Sequence, residues 1–367
     1  MKKIAACISL LLSILFITPL WANDAPADLY KLDRFSVVTT KIADDVYVIM
    51  RPVSHRWPVQ TNVIVIVNEK DVVVVDGGGL PPHAENVISE IKRLTSKPVS
   101  VIVNTHWHQD HNWGHAAYRR HYPEVRVISH EETRKALLSN NFLKNLQDQD
   151  LQTRIDESLV RFKEGLVEEE ENGEPAESLA RTRDIIAGVP QVYAAQNEAT
   201  DGLADETFLD KVSLYRGERR IDVMFLGRAN TNGDVVVWLP EEKIIATGDI
   251  VVRPTPYGFG SHPKEWVEVL NHIKALDYVA LVPGHGEVQT DTAYLDLLIE
   301  LLNAVVERTK AAVDAGAADM DVVREAVDLS DFDERFTGGD PLLEALFNSW
   351  FKRPIVGGAY QDLTEAE

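Results

Sequence analysis

The sequence predicts an α/β protein whose apolar strands carry helices on their outer side, with a helical insertion in the middle and a helical tail. Three observations predict it. Short runs rich in Val and Ile recur between helical stretches, and some are apolar without alternation, as strands buried on both faces are. Two segments echo each other. "NEKDVVVVDGGG" and "PEEKIIATGDIV" both run from a charged turn through an apolar strand into an Asp-Gly or Gly-Asp step, which points to two similar halves. Between Glu131 and about Asp210 the strands stop and the chain turns polar, acidic and helical.

Residues 1–22 have the layout of a secretory signal peptide: basic "MKK", apolar "IAACISLLLSILFITPL", then small Ala22 before polar "NDAPAD". No basic stop-transfer flank follows, so a cleaved leader is expected rather than a membrane anchor. Cleavage is expected near Ala22, with Ala25 the alternative because Leu20 is not the small residue preferred at minus three. The expected location is therefore periplasmic or secreted. The first half, 36–130, reads as strands at "DVYVIM", "TNVIVIV" and "DVVVV", a helix at "HAENVISEIKRL", and strands at "PVSVIVNT" and "YPEVRVISH". The acidic insertion, 131–210, reads as helices broken at "ENGEP". The second half, 211–290, has strands at "RRIDVMFLG", "GDVVVWLP" and "EKIIATGD", a helix at "PKEWVEVLNHIKAL", and a strand at "YVALVPG". Residues 291–367 read mostly as helix, including "DTAYLDLLIELLNAVVERTKAAVDAG".

With 367 residues and 45% hydrophobic content, the chain can bury a large core in one large domain or two smaller ones. Its one cysteine, Cys7, lies in the leader, which excludes disulfides, thiolate-bound zinc and thiol catalysis from the mature protein. Loss of Lys2 and Lys3 with the leader takes the net charge from −21 to −23. That acidity argues against nucleic acid or an anionic membrane as a partner. A small-molecule substrate remains, with the insertion available for homodimer formation.

The stretch "VIVNTHWHQDHNWGHAAY" places four of the eleven histidines within ten residues. His106 and His108 lie two apart at the exit of a strand, where extended backbone projects both side chains to one side and so toward one ion. Asp110 and His111 follow as the chain turns and can serve a second ion nearby. Imidazole and carboxylate donors suit zinc, one or two ions per chain, with iron or manganese as alternatives.

At this point the residues resemble a known family. "HWHQDH" is similar to the H-x-H-x-D-H signature of the metallo-β-lactamase-fold hydrolases. "DVVVVDGG", "GDVVVWLPEEKIIATGDIV" and "LVPGHGEV" follow in that family's order, over roughly Val37 to Gln289. The resemblance implies an αββα sandwich, with metals held by loops at one edge of its two sheets. It implies His106 and His108 as ligands of a first metal, Asp110 and His111 of a second, and Asp249 as the carboxylate bridging both. It implies His285 in "PGHG" as the remaining ligand of the second metal, with Gly284 and Gly286 letting the chain turn beside the ion. The family's G-x-x-H-T-x-G-D segment is here "GRANTNGD", so Asn230 stands where a third first-metal histidine is expected. An amide oxygen is a weak ligand. Two metals with a weakened first site, a mono-metal enzyme built on the second, and a fold that has lost catalysis all stay open. The implied chemistry is a metal-activated water attacking an ester, thioester or amide carbonyl, with Asp110 and Asp249 as the catalytic carboxylates.

Substrate contacts are expected from Trp57 in the Pro-bounded loop 51–58, from Trp107 and Trp113 beside the ligands, and from Arg253 and Tyr257 in "RPTPYGFGSHP". His115 and His130 read as structural and His262 as no ligand, while His55 shares the loop of Trp57. Gln109 stands where a flavodiiron site would need a glutamate, and the charge disfavours nucleases. The non-enzyme rival is an exported binding or accessory protein that uses the insertion as a docking surface.

Overall fold

The computed structural model describes residues 32–317 and 319–364, so the predicted leader lies outside the described residues. Two sheets face each other. The first has seven strands in chain order: β1 (Val38–Ala43), β2 (Val46–Met50), β3 (Val63–Val67), β4 (Val72–Val75), β5 (Val99–Val103), β6 (Arg126–His130) and β7 (Glu206–Phe208). β1 to β4 pair antiparallel, and β4 to β7 continue in parallel. The second sheet comprises β8 (Lys211–Arg216), β9 (Arg219–Phe225), β10 (Val235–Leu239), β11 (Ile244–Ala246) and β12 (Ala280–Val282) in the order β12-β11-β10-β9-β8. Its pairs are antiparallel except β11 with β12.

The valine runs explain the layering. In β4, Val73 and Val75 point inward and meet Val235, Val237, Ile244 and Val282 of the opposite sheet. Val72 and Val74 point outward onto Ile88 and Ile91 of α1 (Pro81–Leu94) and, past the short α2 (Gln109–Asn112), onto Tyr118 of α3 (His115–His121). Each fully buried aliphatic side chain of this kind contributes on the order of 1.5 kcal/mol or more. The insertion comes next: α4 (Glu131–Ser139), α5 (Phe142–Gln147), α6 (Leu151–Glu171) and α7 (Ala176–Glu198). On the far sheet, Val236, Trp238 and Ile245 turn outward onto Trp266 and Leu270 of α8 (Pro263–Lys274) and Leu298 of α9 (Ala293–Asp314). The result is helix, sheet, sheet, helix, the αββα sandwich that the resemblance implies. The tail adds α10 (Met320–Ala326), α11 (Asp333–Thr337), α12 (Pro341–Leu346), a π-helical turn over Phe347–Lys352, and α13 (Arg353–Thr364).

Within the insertion, α6 and α7 form a hairpin broken at Gly173, whose φ of 71° needs a glycine. After α7 the chain enters the first sheet as β7, a strand the sequence reading placed inside the helical segment. β1 and β8 are also strands that reading lacked. A buried ion cluster ties the insertion to the sandwich: Asp184 of α7 pairs with Arg34 and Arg56 at 2.9 Å each, all three side chains at most 8% exposed. Arg51 lies beside them and donates to the carbonyls of Arg34 and Pro58. Removing one member of such a buried cluster typically costs 3–5 kcal/mol, so the insertion is held as firmly as a core element.

β4 and β11 occupy equivalent places. Each is antiparallel to the strand before it and parallel to the strand after it. The echo between the two sequence segments is this equivalence. The loops that leave β4, β5, β11 and β12 carry Asp76, the histidine cluster, Asp249 and His285.

Candidate metal centre

The β5 strand ends at Val103, and buried Asn104 and Thr105 lead the chain into His106. His108 then caps the four-residue turn of α2, which carries Asp110 and His111. From the second sheet, Gly248 takes a φ of 50° and turns Asp249 into the space facing His106. His285 follows β12. Its neighbour Gly284 sits so close that a Cβ there would lie 2.1 Å from Asp249 Oδ1.

These side chains converge in two groups, His106, His108 and Asp249 in one and Asp110, His111 and His285 in the other. Asp249 belongs to both. Its Oδ2 lies 3.6 Å from His106 Nε2 and 3.8 Å from His108 Nδ1, while its Oδ1 lies 3.1 Å from His111 Nε2 and 3.4 Å from His285 Nε2. Asp110 Oδ2 lies 3.0 Å from His285 Nε2 and 3.7 Å from His111 Nε2. The backs of the rings are held by other groups. Asp76 accepts from His111 Nδ1 at 2.7 Å, from the Thr105 hydroxyl at 2.9 Å and from the Thr105 backbone N–H at 2.8 Å. The Thr105 hydroxyl, having given its proton to Asp76, accepts from His106 Nδ1 at 3.0 Å. His285 Nδ1 donates to the Gln60 carbonyl at 3.1 Å. Each back-side bond turns a ring's Nε2 to the inner side, where His106 Nε2 faces His108 Nδ1, His285 Nε2 faces Asp110, and His111 Nε2 is left bare.

Bare atoms on the inner side are what a metal ion needs. His111 Nε2 and Asp249 Oδ1 are buried and lack a hydrogen-bond partner. His106 Nε2 and His108 Nδ1 face each other at 2.8 Å. Buried polar groups are seldom left so, and a cation between them satisfies all of them at once. The residues present therefore fit a metal centre with nitrogen and carboxylate donors, as the fold family implies. The charge pattern agrees. Burial pulls His285 down, but the Asp249 and Asp110 carboxylates outweigh it and lift the ring to about 9. His111 is likewise lifted well above its ordinary value, against burial, by Asp249, Asp76 and Asp110. Burial raises Asp110 and Asp249, yet the histidines facing them hold both below the usual carboxylate range. His108, by contrast, is lowered by burial and by His106. The pocket is built to favour positive charge.

Asn230 is fully buried. Its amide N–H donates to the Tyr257 carbonyl at 2.6 Å, while its Oδ1 is buried without a partner. Tyr257 stands edge-on to His108 with ring centres 5.2 Å apart, which sets that amide beside the first group. A cleft of about 430 Å³ opens outward from Asp110, Asp249 and His285, and Trp113, Arg253 and Tyr257 line it. Trp57 and Trp107 are not among its lining residues, contrary to the expectation that both contact substrate. Trp57 packs into the insertion against Phe162 and Tyr193, because the loop carrying it is pinned by the buried arginines. Trp107 stands against the His108 ring. His130 caps α4 by accepting from the Glu132 N–H, and His262 bonds Asn232 and Asp362.

Sequence reasoning missed Asp76, Thr105 and Gln60. Asp76 had a signal, a carboxylate ending an apolar strand ahead of three glycines, and its φ of 58° is one that Asp tolerates better than most. Gln60 acts through its carbonyl, for which sequence gives none.

The family profile described as "Metallo-beta-lactamase superfamily" matches residues 56–285, more than half of the chain. Among curated proteins, a linear primary-alkylsulfatase from Pseudomonas sp. (strain ATCC 19151) is 22% identical over 59% of this chain and 39% of its own length. A metallo-beta-lactamase type 2 from Bacillus cereus is 29% identical over 32% of this chain and 44% of its own length. The chain thus spans less than half the length of these curated relatives. Among solved structures, a metallo-beta-lactamase from Pontibacter korlensis is 21% identical with a TM-score of 0.50, covering 73% of this chain and 99% of that one. That likeness concerns the fold.

Proposed function

The chain belongs to the metallo-beta-lactamase superfamily, and from that premise we propose that it is an exported metal-dependent hydrolase acting on an ester, thioester or amide. One observation carries the reading: two ligand groups meet on the two oxygens of a single buried carboxylate, Asp249, with His111 Nε2 and Asp249 Oδ1 left bare between them. Zinc is the ion that such imidazole and carboxylate donors suit best.

A bound ion supplies two things here, a water acidic enough to ionise near neutral pH and a Lewis acid for the electrophile. The chain's own residues do the rest. Asp76 and Thr105 hold the His106 and His111 rings from behind, and the Gln60 carbonyl does the same for His285. Asp110 is the ligand-set carboxylate most open to the cleft, at 26% exposure; it orients the attacking water and takes up its proton. Tyr257 lines the cleft, and burial, together with the Asp110 and Asp249 charges, pushes its phenol well above the ordinary tyrosine value. It stays protonated at working pH and donates to the oxyanion that develops on the substrate. Arg253 offers a cation to an anionic substituent from the same wall. Asn230 Oδ1 is a weak fourth ligand beside His106, His108 and Asp249 of the first group, so the second group holds its ion more tightly. The non-enzyme rival has less support, because six ligand side chains converge and the insertion contributes to the cleft wall instead of standing off as a separate face.

The test is metal content per chain of the purified mature protein, with and without zinc dialysis, beside Asn230→His. It is joined by a panel of esters, thioesters and amides, to which the relatives' names add a linear primary alkyl sulfate and a β-lactam. One or two ions, hydrolysis of a panel member, and loss of turnover with a chelator are expected. An ion count that rises from one to two in Asn230→His assigns the vacancy to the first group. No bound metal in either protein overturns the reading. Among the described residues, no helix is long and apolar enough to cross a membrane. Export is checked by whether the mature chain begins near Asn23.

A further inference from the structure

Large apolar side chains scattered singly over a surface need no explanation, but several converging on one cleft do. Phe142 is 49% exposed, Phe259 44% and Trp350 37%, and all three line the cleft that opens from the metal ligands. They come from three separate places: α5 of the insertion, the loop after Asp249, and the π-helical turn of the tail.

Each is held by a neighbour nearer the site. Phe142 stacks on Trp113 with ring centres 6.2 Å apart and planes 14° from parallel. Tyr257 lies 5.0 Å from Phe259 and 6.2 Å from Trp350. The Gly258 N–H donates to the Trp350 carbonyl at 2.9 Å, which fixes the tail against that loop. π-Helical turns in otherwise α-helical runs frequently mark functional positions, and this one directs Trp350 to the cleft. The charged groups lining the cleft are Asp110 and Asp249 of the ligand set and Arg253, whose backbone N–H bonds the His285 carbonyl, so Phe142, Phe259 and Trp350 add an aromatic lining that brings no charge of its own.

We infer that the outer cleft is a subsite for an uncharged apolar group, an alkyl or acyl chain of about eight carbons or an aryl group of similar size, attached to the bond hydrolysed at the metal end. Phe142, Phe259 and Trp350 determine this specificity. The inference rests on the hydrolase reading for the reacting end and on the aromatic walls for the rest. A cleft of about 430 Å³ falls within the 300–1,000 Å³ typical of small-molecule sites. Ester and apolar chain together fill it without calling on any further charged group.

The test has two independent readouts in the zinc-loaded protein. The first is kcat/KM for p-nitrophenyl esters from acetate to octanoate. It rises about two- to fourfold per added methylene in the wild type, as burial of each CH₂ in a half-open cleft requires. In Phe142→Ala/Trp350→Ala the octanoate-to-acetate ratio falls about tenfold. Both residues are more than a third exposed, so an unchanged melting temperature certifies the fold, and Trp350→Phe restores most of the ratio. The second readout is fluorescence of an uncharged probe, N-dansyl-decylamine, titrated into wild type and double variant, with binding about tenfold weaker in the variant. Esters hydrolysed with no chain-length slope overturn the subsite and leave the hydrolase reading standing. Where no ester turns over, the probe decides: weaker binding in the variant keeps the subsite, with the hydrolase reading judged separately by metal content and the wider panel, and equal binding overturns the subsite.

Discussion

Asp76 and Asp249 stand at equivalent places in the two halves, each in the turn that leaves a strand antiparallel to one neighbour and parallel to the other. Their surroundings differ in one respect. Asp76 is saturated, accepting from the Thr105 N–H, the Thr105 hydroxyl and His111. Asp249 has an Oδ1 that is buried and bare. A carboxylate after equivalent strands is a saturated support in one half and carries a bare oxygen facing the histidines in the other. What decides is whether a donor stands behind it. In the first half Thr105 supplies two donors; in the second, the space beside Asp249 is kept clear by a glycine, Gly284, that brings no side chain at all.

The comparison breaks hardest at Asp249. Asp249→Ala removes the one side chain shared by both ligand groups, so metal binding should fall at both positions. Turnover of whichever panel substrate is hydrolysed should fall by about 10³ or more, the several kcal/mol that a polarising ion contributes. Metal analysis and kcat/KM on the same sample check it. A variant that keeps both its ions and its rate would remove Asp249 from the centre of the site.

Asp76→Asn should be milder. The ring of His111 keeps a hydrogen-bond partner but loses the charge behind it, and such supporting partners are worth about 10–100-fold in metal affinity or activity. Competition with a chelator of known zinc affinity measures the loss directly. Thr105→Val should produce a smaller loss, and the double variant should lose less than the sum, because Asp76 acts on His106 through Thr105. Additive losses would mean that the two supports work independently.

Much of this was legible in the sequence because the relevant patterns are local. The unbroken valines of β4 announce a strand buried on both faces, and histidines two apart after a strand announce side chains that converge, as His106 and His108 do with Asp249. β1 and β8 were not legible as strands. Both are edge strands in which most side chains are exposed or half-buried, so their polar and charged residues show no apolar run. β7 is three residues long and becomes a strand only through its pairing with β6. Trp57, expected at the cleft from its place in the 51–58 loop and the family resemblance, packs into the insertion instead. What turns it away is a cluster of arginines closed by Asp184, which comes from 128 positions further along the chain in the case of Arg56. The aromatic rim shares that character. Phe142, Phe259 and Trp350 mean nothing singly, and only tertiary structure assembles them.

The smallest effect expected lies just behind the Asp76 turn. There the site and its backing treat histidine in opposite ways. His111 and His285 face carboxylates and are lifted, whereas His83 and His115 are fully buried, His83 with no partner for either ring nitrogen, and burial pushes them down to about 3 and about 4. They pack against Gly78 and Gly77, the residues that follow Asp76. A histidine neutral in the fold but free to protonate when unfolded stabilises the unfolded chain as pH falls below its ordinary value near 6.5. Each of these two should therefore cost about 1 kcal/mol of stability by pH 6, and more with further acidification toward the folded values. In metal-free protein His111 and His285 act in the opposite sense. Their raised values contribute stability that is fully present below pH 6.5 and is lost as pH rises toward about 9. The two sets oppose each other in the wild type, so the difference between proteins is what isolates the buried pair. Urea unfolding at pH 7.5 and pH 6.0 should show His83→Leu losing about 1 kcal/mol less than wild type over that interval. Equal losses would mean that His83 is already charged in the fold, and that an acid or a buried water reaches it behind the Asp76 turn.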